Sequence, residues 1–477
     1  MKKIVISSLV LLALLAACGP AATEGGETVP IAAPGAGAVA PVEQVQAADG
    51  ETRTLRMLGP GLFSEVTRTG ALDLITGLTR PGYEVVINRW NELNPDVELV
   101  IESIPWDGWR AALTTAALAG DIDIIIHGAS ITYIVEPLNR FVDETPGLLD
   151  EIAALALRRT EVDGYPLSQV IPFGVSITNA PATVILDLQI LEDFGVPVPS
   201  LDWGPEEMLE IARNTTGINP RTGVQNFGIS MYQPGSANFN YIWASRLWGA
   251  HTIQWGDTLA ETVYDYTIPE SVRALHFIND LGAFQSPDYI ESLDRTMVAT
   301  DDNYLAMHLT NTAFGVYNQI RANGLEERFM VLPLPQIQEG PHAGRPSSHM
   351  GDWNMSIARN STQQDLAWEF MVFMVTDPVV QSWIVDTHNI PNNISGLQYL
   401  QAAMHDNYWP GIEAVVSQIP IDYSASTNFS YCSITIAPKI PEMTNAIMEM
   451  LMDNMTPEEV AQHIQTVVED FLNLQLN

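Results

Sequence analysis

An α/β fold of two domains is predicted by two observations. The segment after residue 51 alternates strand-like and helix-like spacing, and more than 400 residues follow it, which favours two domains over one. Thr54–Leu58 reads as an opening strand broken by Gly59-Pro60-Gly61. Tyr83–Leu93 then has helical spacing, with Val86, Trp90 and Leu93 on one stripe, and stops at Asn94-Pro95. Val97–Ile101 resumes as a strand, Trp109–Ala119 is an alanine-rich helix closed by Gly120, and Ile122–Ile126 is almost wholly apolar. Strands separated by helices imply a largely parallel sheet covered on both faces, and the β-branched Ile122, Ile124, Ile125 and Ile126 suit a doubly buried strand.

Further along, Pro205–Ala212 is a short helix with Glu206 and Glu207 favourably placed in its first turn. Ser271–Leu281 is another helix, Phe329–Leu334 a strand, and Thr362–Thr376 a long helix stopped by Asp377-Pro378. Thr456-Pro457-Glu458-Glu459 supplies an N-cap, a proline at the first helical position and a glutamate at the third, opening a helix that reaches Leu472 or beyond.

The formal charge of −36 argues against binding nucleic acid or anionic lipid headgroups, because such a surface repels both. Lys2 and Lys3 followed by an apolar run from Ile4 to Ala17 have the form of a signal peptide, residues 1–17. The run ends in Leu15-Ala16-Ala17-Cys18-Gly19, which resembles the lipobox of bacterial lipoproteins and implies acylation of Cys18, palmitate included, once the leader is removed. Two acyl chains anchor stably where one is marginal, at about 0.8 kcal/mol per buried CH2. Residues 18–51, rich in Gly, Ala and Pro and lacking aromatic residues, read as a flexible tether from that lipidated N-terminus. The only other cysteine, Cys432, then has no intrachain partner and reads as a small packed side chain. No later apolar run approaches the length of a membrane span.

Trp106-Asp107-Gly108-Trp109 through Ala116-Ala117-Leu118-Ala119-Gly120-Asp121-Ile122-Asp123-Ile124-Ile125 resembles a hallmark of the extracellular solute-binding proteins of ABC importers, in particular the sugar-binding family 1 that includes maltose-binding protein. Ile122 stands where that family usually has proline. Gly164-Tyr165-Pro166 with Ile171-Pro172-Phe173-Gly174-Val175 resembles the family's first hinge crossing, and Leu305-Ala306-Met307 weakly resembles the second. Val331-Leu332-Pro333-Leu334-Pro335, Gly351-Asp352-Trp353 and Asn389-Ile390-Pro391 resemble its Pro-Leu-Pro strand, diglycine crossing and Gly-x-Pro-Ala loop. The shared order spans residues 53 to 475.

The resemblance implies a two-lobed periplasmic-binding-protein-like α/β fold of type II, with a cleft between lobes joined by several chain crossings. Lobe one is expected at 53–171 plus 310–350, and lobe two at 172–309 plus 351–477. The implied function is that of the substrate-binding component of an ABC importer, not an enzyme. It captures a carbohydrate, an oligosaccharide being favoured by eleven tryptophans, and delivers it to membrane subunits from the outer face of the cytoplasmic membrane. A monomer touching the bilayer only through its anchor is expected, with no cofactor, no metal and no nucleic acid.

Sugars present flat apolar faces edged by hydroxyls, so a sugar cleft needs aromatic platforms beside polar groups. The ligand-binding candidates are Gly59, Pro60, Trp106, His127, Ser130, Phe173, Trp243, Trp248, Tyr317, Asp352, Trp353 and Trp383. Gly59, Pro60, His127 and Ser130 follow predicted strands, where ligands collect in α/β sheets. Trp353 leads the set because the preceding Gly351 permits tight passage. Each tryptophan also has a plain reading as core. No phosphate loop, His-Glu-x-x-His, paired Cys-x-x-Cys or Gly-x-Ser-x-Gly occurs, and Glu206 and Glu207 are adjacent and diverge around a helix. Two other functions fit the composition: a receptor for a polyamine or other small polar solute, and a lipid-anchored glycan hydrolase, which needs two opposed carboxylates about 5–9 Å apart.

Overall fold

A computed structural model describes residues 52–60, 68–72, 79–105, 108–126, 132–152, 156–160, 166, 169, 171–231, 237–287, 298–347, 350–351, 353–417 and 440–476. The opening elements follow the predicted pattern: β1 (Arg53–Gly59), α1 (Glu84–Leu93), β2 (Val97–Ser103), α2 (Trp109–Ala119) and β3 (Ile124–Ile126). Gly120 ends α2 in the left-handed conformation at φ 75° and returns its amide to Ala116 and Ala117, which is why the alanine run stops there. The chain continues with β4 (Leu157–Thr160) and β5 (Ile171–Ser176).

β1 pairs in parallel with both β2 and β3. The sheet is completed in the order β2-β1-β3-β13-β5-β4 by a strand from far along the chain, β13 (Asn354–Ile357), which runs antiparallel to β3 and β5. Its strands alternate between two cores. Leu55, Met57, Ile124 and Ile126 face α1 and two later helices, α8 (Gln364–Thr376) and α9 (Pro378–Asp386), whereas Leu58, Ile125 and Phe173 pack with Trp109 and Leu113 of α2. Asp123 stitches this lobe together: its carboxylate accepts from the Arg56 amide at 2.9 Å and the Ser361 hydroxyl at 2.6 Å.

After β5 the chain passes through β6 (Thr178–Pro181) into a second sheet. It contains β7 (Thr183–Asp187), followed by α3 (Leu188–Phe194) and α4 (Pro205–Asn214), then β8 (Gly217–Ile218) and β9 (Gln225–Ser230). Next come α5 (Asn238–Leu247), α6 (Pro269–Gly282), β10 (Leu305–Thr310), α7 (Ala313–Ala322) and β11 (Phe329–Pro333). The strand order is β8-β9-β10-β7-β11, with β9 parallel to β10 and β7 antiparallel to both its neighbours. Both faces are again covered. One packs on α3 to α6 together with α12 (Ile440–Leu451) and α13 (Pro457–Leu476), and the other on α7, α10 (Ile394–Ala403) and α11 (Trp409–Val416). The predicted start of α13 holds: the Glu459 amide donates to Thr456 Oγ1 at 3.2 Å and the Thr456 amide to Glu459 Oε2 at 2.8 Å.

A third, three-stranded sheet joins the two lobes: β12 (Met350–Gly351), β6 and β14 (Ile390–Pro391), with β6 in the middle and antiparallel to both. These are the three passages of chain between the lobes, and they revise the expected boundaries. Leu305–Thr310 is an interior strand and not a crossing, because α7 returns the chain over one face of the same sheet to β11. Residues 329–333 therefore belong to the second lobe rather than the first, and 354–386 to the first rather than the second. The first crossing lies at Thr178–Pro181, beyond the Ile171–Val175 segment expected to form it, which is instead a strand of the first sheet.

Candidate functional site

The pairing registers define one edge of the first sheet. Leu58 pairs with Ile125 and Ile126 with Met355, and Asn354 pairs with Ser176. The carboxyl ends of β1, β3 and β5 thus finish beside the start of β13, all pointing toward the crossing sheet. Gly59 is required there, since a Cβ would overlap the Ile126 side chain. Gly174 is similarly confined, because a Cβ would lie 2.8 Å from the Met355 carbonyl oxygen.

The second sheet presents the matching edge. Thr310 pairs with Thr183, which pairs on its other side with Pro333, and Thr183 follows directly on β6. Beyond Thr310 the chain turns into α7 through Asn311 and Thr312; the Thr312 amide donates to Thr310 Oγ1 at 3.0 Å and the two threonine hydroxyls lie 2.9 Å apart. Two α/β sheets therefore turn strand ends toward a common crossing, the position at which ligands bind such sheets.

The crossing is unusually rich in buried amides. Asn392 Nδ2 donates to the Ser176 carbonyl at 2.9 Å. Its Oδ1, the Oδ1 of Asn354 and both side-chain polar atoms of Asn179 have no hydrogen-bond partner among the described residues, although all three residues are at most 2% exposed. A buried amide left unpaired costs about 1–3 kcal/mol, so a polar partner that reached these atoms would be favoured.

The family described as bacterial extracellular solute-binding protein matches residues 76–381, more than half of the chain. The chain belongs to that family. No curated protein sequence matches it. Among solved structures, the sugar-binding protein MalE from Xanthomonas citri is similar with a TM-score of 0.67 at 14% identity, covering 89% of this chain and 98% of that one. An ABC transporter solute-binding protein from Thermotoga lettingae bound with α-D-tagatose gives 0.59 at 17% identity, covering 88% and 100%. One from Agrobacterium vitis with bound D-mannitol gives 0.56 at 15% identity, covering 89% and 99%. At these identities the likeness establishes the fold, the two-lobed periplasmic-binding-protein architecture.

Within this solute-binding protein the predicted site residues separate clearly. Gly59 and Pro60 lie at the first sheet's edge, and Trp353 stands at the crossing. The Trp353 carbonyl accepts from Ile177 at 2.8 Å, its amide donates to Thr178 Oγ1 at 3.3 Å, and its half-buried ring packs on the first core. Trp106, His127, Ser130, Asp352 and Cys18 lie outside the described residues, as does Cys432.

Four aromatic candidates are corrected, since their rings are enclosed by core. Trp243 is 0% exposed, meets Phe277 edge-on at 6.0 Å and accepts Ser347 Oγ on its carbonyl. Trp248 meets Phe277 at 5.4 Å and is covered by the Arg273 guanidinium at 4.7 Å. Trp383 packs in the first core with its indole directed to the Pro81 carbonyl at 3.3 Å, and Phe173 lies beneath α2. Tyr317 is also buried, against Tyr408 at 4.6 Å, and its hydroxyl is engaged by the His405 amide at 2.9 Å. Asn179, Asn311, Asn354 and Asn392 were absent from the sequence-derived set. Of these, only Asn311 carried a signal, the polar run Thr310-Asn311-Thr312 directly after an apolar strand.

Proposed function

We propose that this protein is the carbohydrate-capturing component of an ABC importer, tethered through an acylated Cys18 to the outer face of the cytoplasmic membrane and chemically inert toward its ligand. The observation that carries the reading is the three-stranded crossing β12-β6-β14 between two lobes whose strand ends face one another. A protein hinged in this way works by a shift between open and closed populations, set by the ligand's greater affinity for the closed one. Membership of the extracellular solute-binding family supports a transport role. The sugar and sugar-alcohol ligands named for the similar structures favour carbohydrate.

The polar groups at the crossing suit that class. Hydroxyls donate and accept, matching the unpaired side-chain amide atoms of Asn179, Asn354 and Asn392, and Trp353 lies in the same crossing. Acyl anchoring and the monomeric state rest on the sequence.

Calorimetric titration of the purified protein with mono- and oligosaccharides, alongside polyamines and amino acids, tests the reading while chromatography follows each solute. Saturable one-to-one heat with an unaltered saccharide is expected. Binding restricted to polyamines assigns a cationic solute instead, and cleavage of a glycan makes the protein a hydrolase.

A further inference from the structure

A cavity of about 460 Å³ lies along the flank of α7, and no strand-end residue lines it. Phe314, Tyr317, Asn318 and Arg321 of α7 line it at i, i+3, i+4 and i+7, the spacing of one helical face. Its opposite wall comes from the end of α9, with Asp386 and His388, and from Tyr399 of α10. α9 packs with the first core through Val380, Trp383 and Ile384, yet its last turn gives Val385 to the core of the second lobe. The cavity therefore sits on the seam between lobes, and it shares no residue with the edge formed by Gly59, Ile126 and Trp353.

The lining is mainly apolar with one charge of each sign. Some arginines reach carboxylates, as Arg89 does Asp377 at 3.1 Å and Arg328 does Asp187 at 2.7 Å, and others, such as Arg56 and Arg213, reach none among the described residues. Arg321 and Asp386 border the same cavity but pair neither with each other nor with any other described side chain. Burial raises the Asp386 carboxyl above the ordinary carboxylate range, as expected of a partly desolvated acid without a counter-charge. His388 holds a left-handed backbone at φ 64°, a conformation that costs a non-glycine residue about 1–3 kcal/mol. Tyr399, 52% exposed, leaves a ring available at the rim.

We propose that this cavity is a second small-molecule site, taking a zwitterion with an apolar body, of the free α-amino-acid class. The ammonium group faces Asp386, the carboxylate faces Arg321, and the side chain lies against the aromatic wall. A simple cation is disfavoured by Arg321 and a simple anion by Asp386 together with the protein's overall charge of −36. A saccharide would leave both charges unpaired. The inference does not depend on what the interlobe cleft binds.

The test is calorimetric titration of the intact protein with L-leucine and L-phenylalanine, compared with N-acetyl-L-leucine and L-leucinamide, each lacking one charge. Saturable binding of the free amino acids is expected, weakened at least tenfold in Arg321→Ala, in Asp386→Asn and with either blocked form. Both variants are checked for an unchanged circular dichroism spectrum, and Trp353→Ala should retain the binding. No heat with either amino acid, equal binding of the blocked forms, or indifference to both substitutions overturns the proposal. So does loss of amino-acid binding in Trp353→Ala, which places that ligand in the cleft.

Discussion

Arg328 grips Asp187 along both carboxylate oxygens, from Nε at 3.1 and 3.0 Å and from Nη2 at 2.7 Å, with the aspartate side chain wholly buried. Asp187 closes β7 and caps α3, accepting the Gln189 and Ile190 amides at 3.0 and 3.2 Å, and Asn303 adds a bond at 2.7 Å. Removing one partner strands a buried charge. Asp187→Ala and Arg328→Ala should each lower unfolding free energy by about 3–5 kcal/mol, read from urea midpoints at constant m-value. A loss below 1 kcal/mol would show that solvent reaches the remaining charge.

Glu369 on α8 gives a pH-dependent prediction. Desolvation is the main cause holding its carboxyl above the ordinary 4.5, with Asp365 and Asp96 acting in the same direction and Arg53 opposing. Between the ordinary and the raised value the folded state keeps a proton that the unfolded chain has released. Its contribution is therefore fully present below about pH 4.5 and is lost as pH rises through the folded value. Glu369→Gln should raise the urea midpoint at pH 7, and the advantage should disappear on acidification below pH 4.5. An advantage of constant size across that range would contradict the assignment.

Cys18 gives a prediction about location. With Cys18 acylated, the protein should sediment with membranes and partition into detergent, whereas Cys18→Ala should release it or leave the leader uncleaved, with altered mass. Two acyl chains hold a protein on a membrane against dilution. Wild-type protein found entirely in the soluble fraction would refute the anchor.

Periodicity made most elements legible. Strands buried on both faces appear as apolar runs, and Gly120, Asp377-Pro378 and Thr456-Pro457 mark helix ends by local chemistry that tertiary packing did not override. Lobe membership was less legible, because a strand, helix and strand read alike whether the chain stays in one sheet, as β10, α7 and β11 do, or leaves it. The tryptophans were least legible. Trp243 and Trp383 sit in loop-proximal helices like cleft platforms, but their burial depends on contacts with Phe277 and Pro81 that lie far away in sequence. The unpaired amides of Asn179 and Asn354 were invisible for the same reason, being defined by strands brought together at the crossing.

Trp353 stands at the crossing between the lobes, and a packing role and a ligand-stacking role for its ring can be measured apart. Its backbone is fixed at the junction of β5 and β6 by bonds with Ile177 and Thr178, neither of which depends on the indole. Its ring is half-buried against the first core, so truncation removes packing as well as a stacking face. Trp353→Ala should weaken saccharide binding by about 1–3 kcal/mol, a factor of roughly 5 to 150, through loss of a desolvated stacking contact. Trp353→Phe keeps a ring and should recover much of that loss. If Trp353→Ala lowers the unfolding midpoint while saccharide affinity stays within twofold, the ring is core alone and the platform lies elsewhere on the strand-end edges. If affinity falls in the alanine variant and returns with phenylalanine, the ring contributes directly to the cleft.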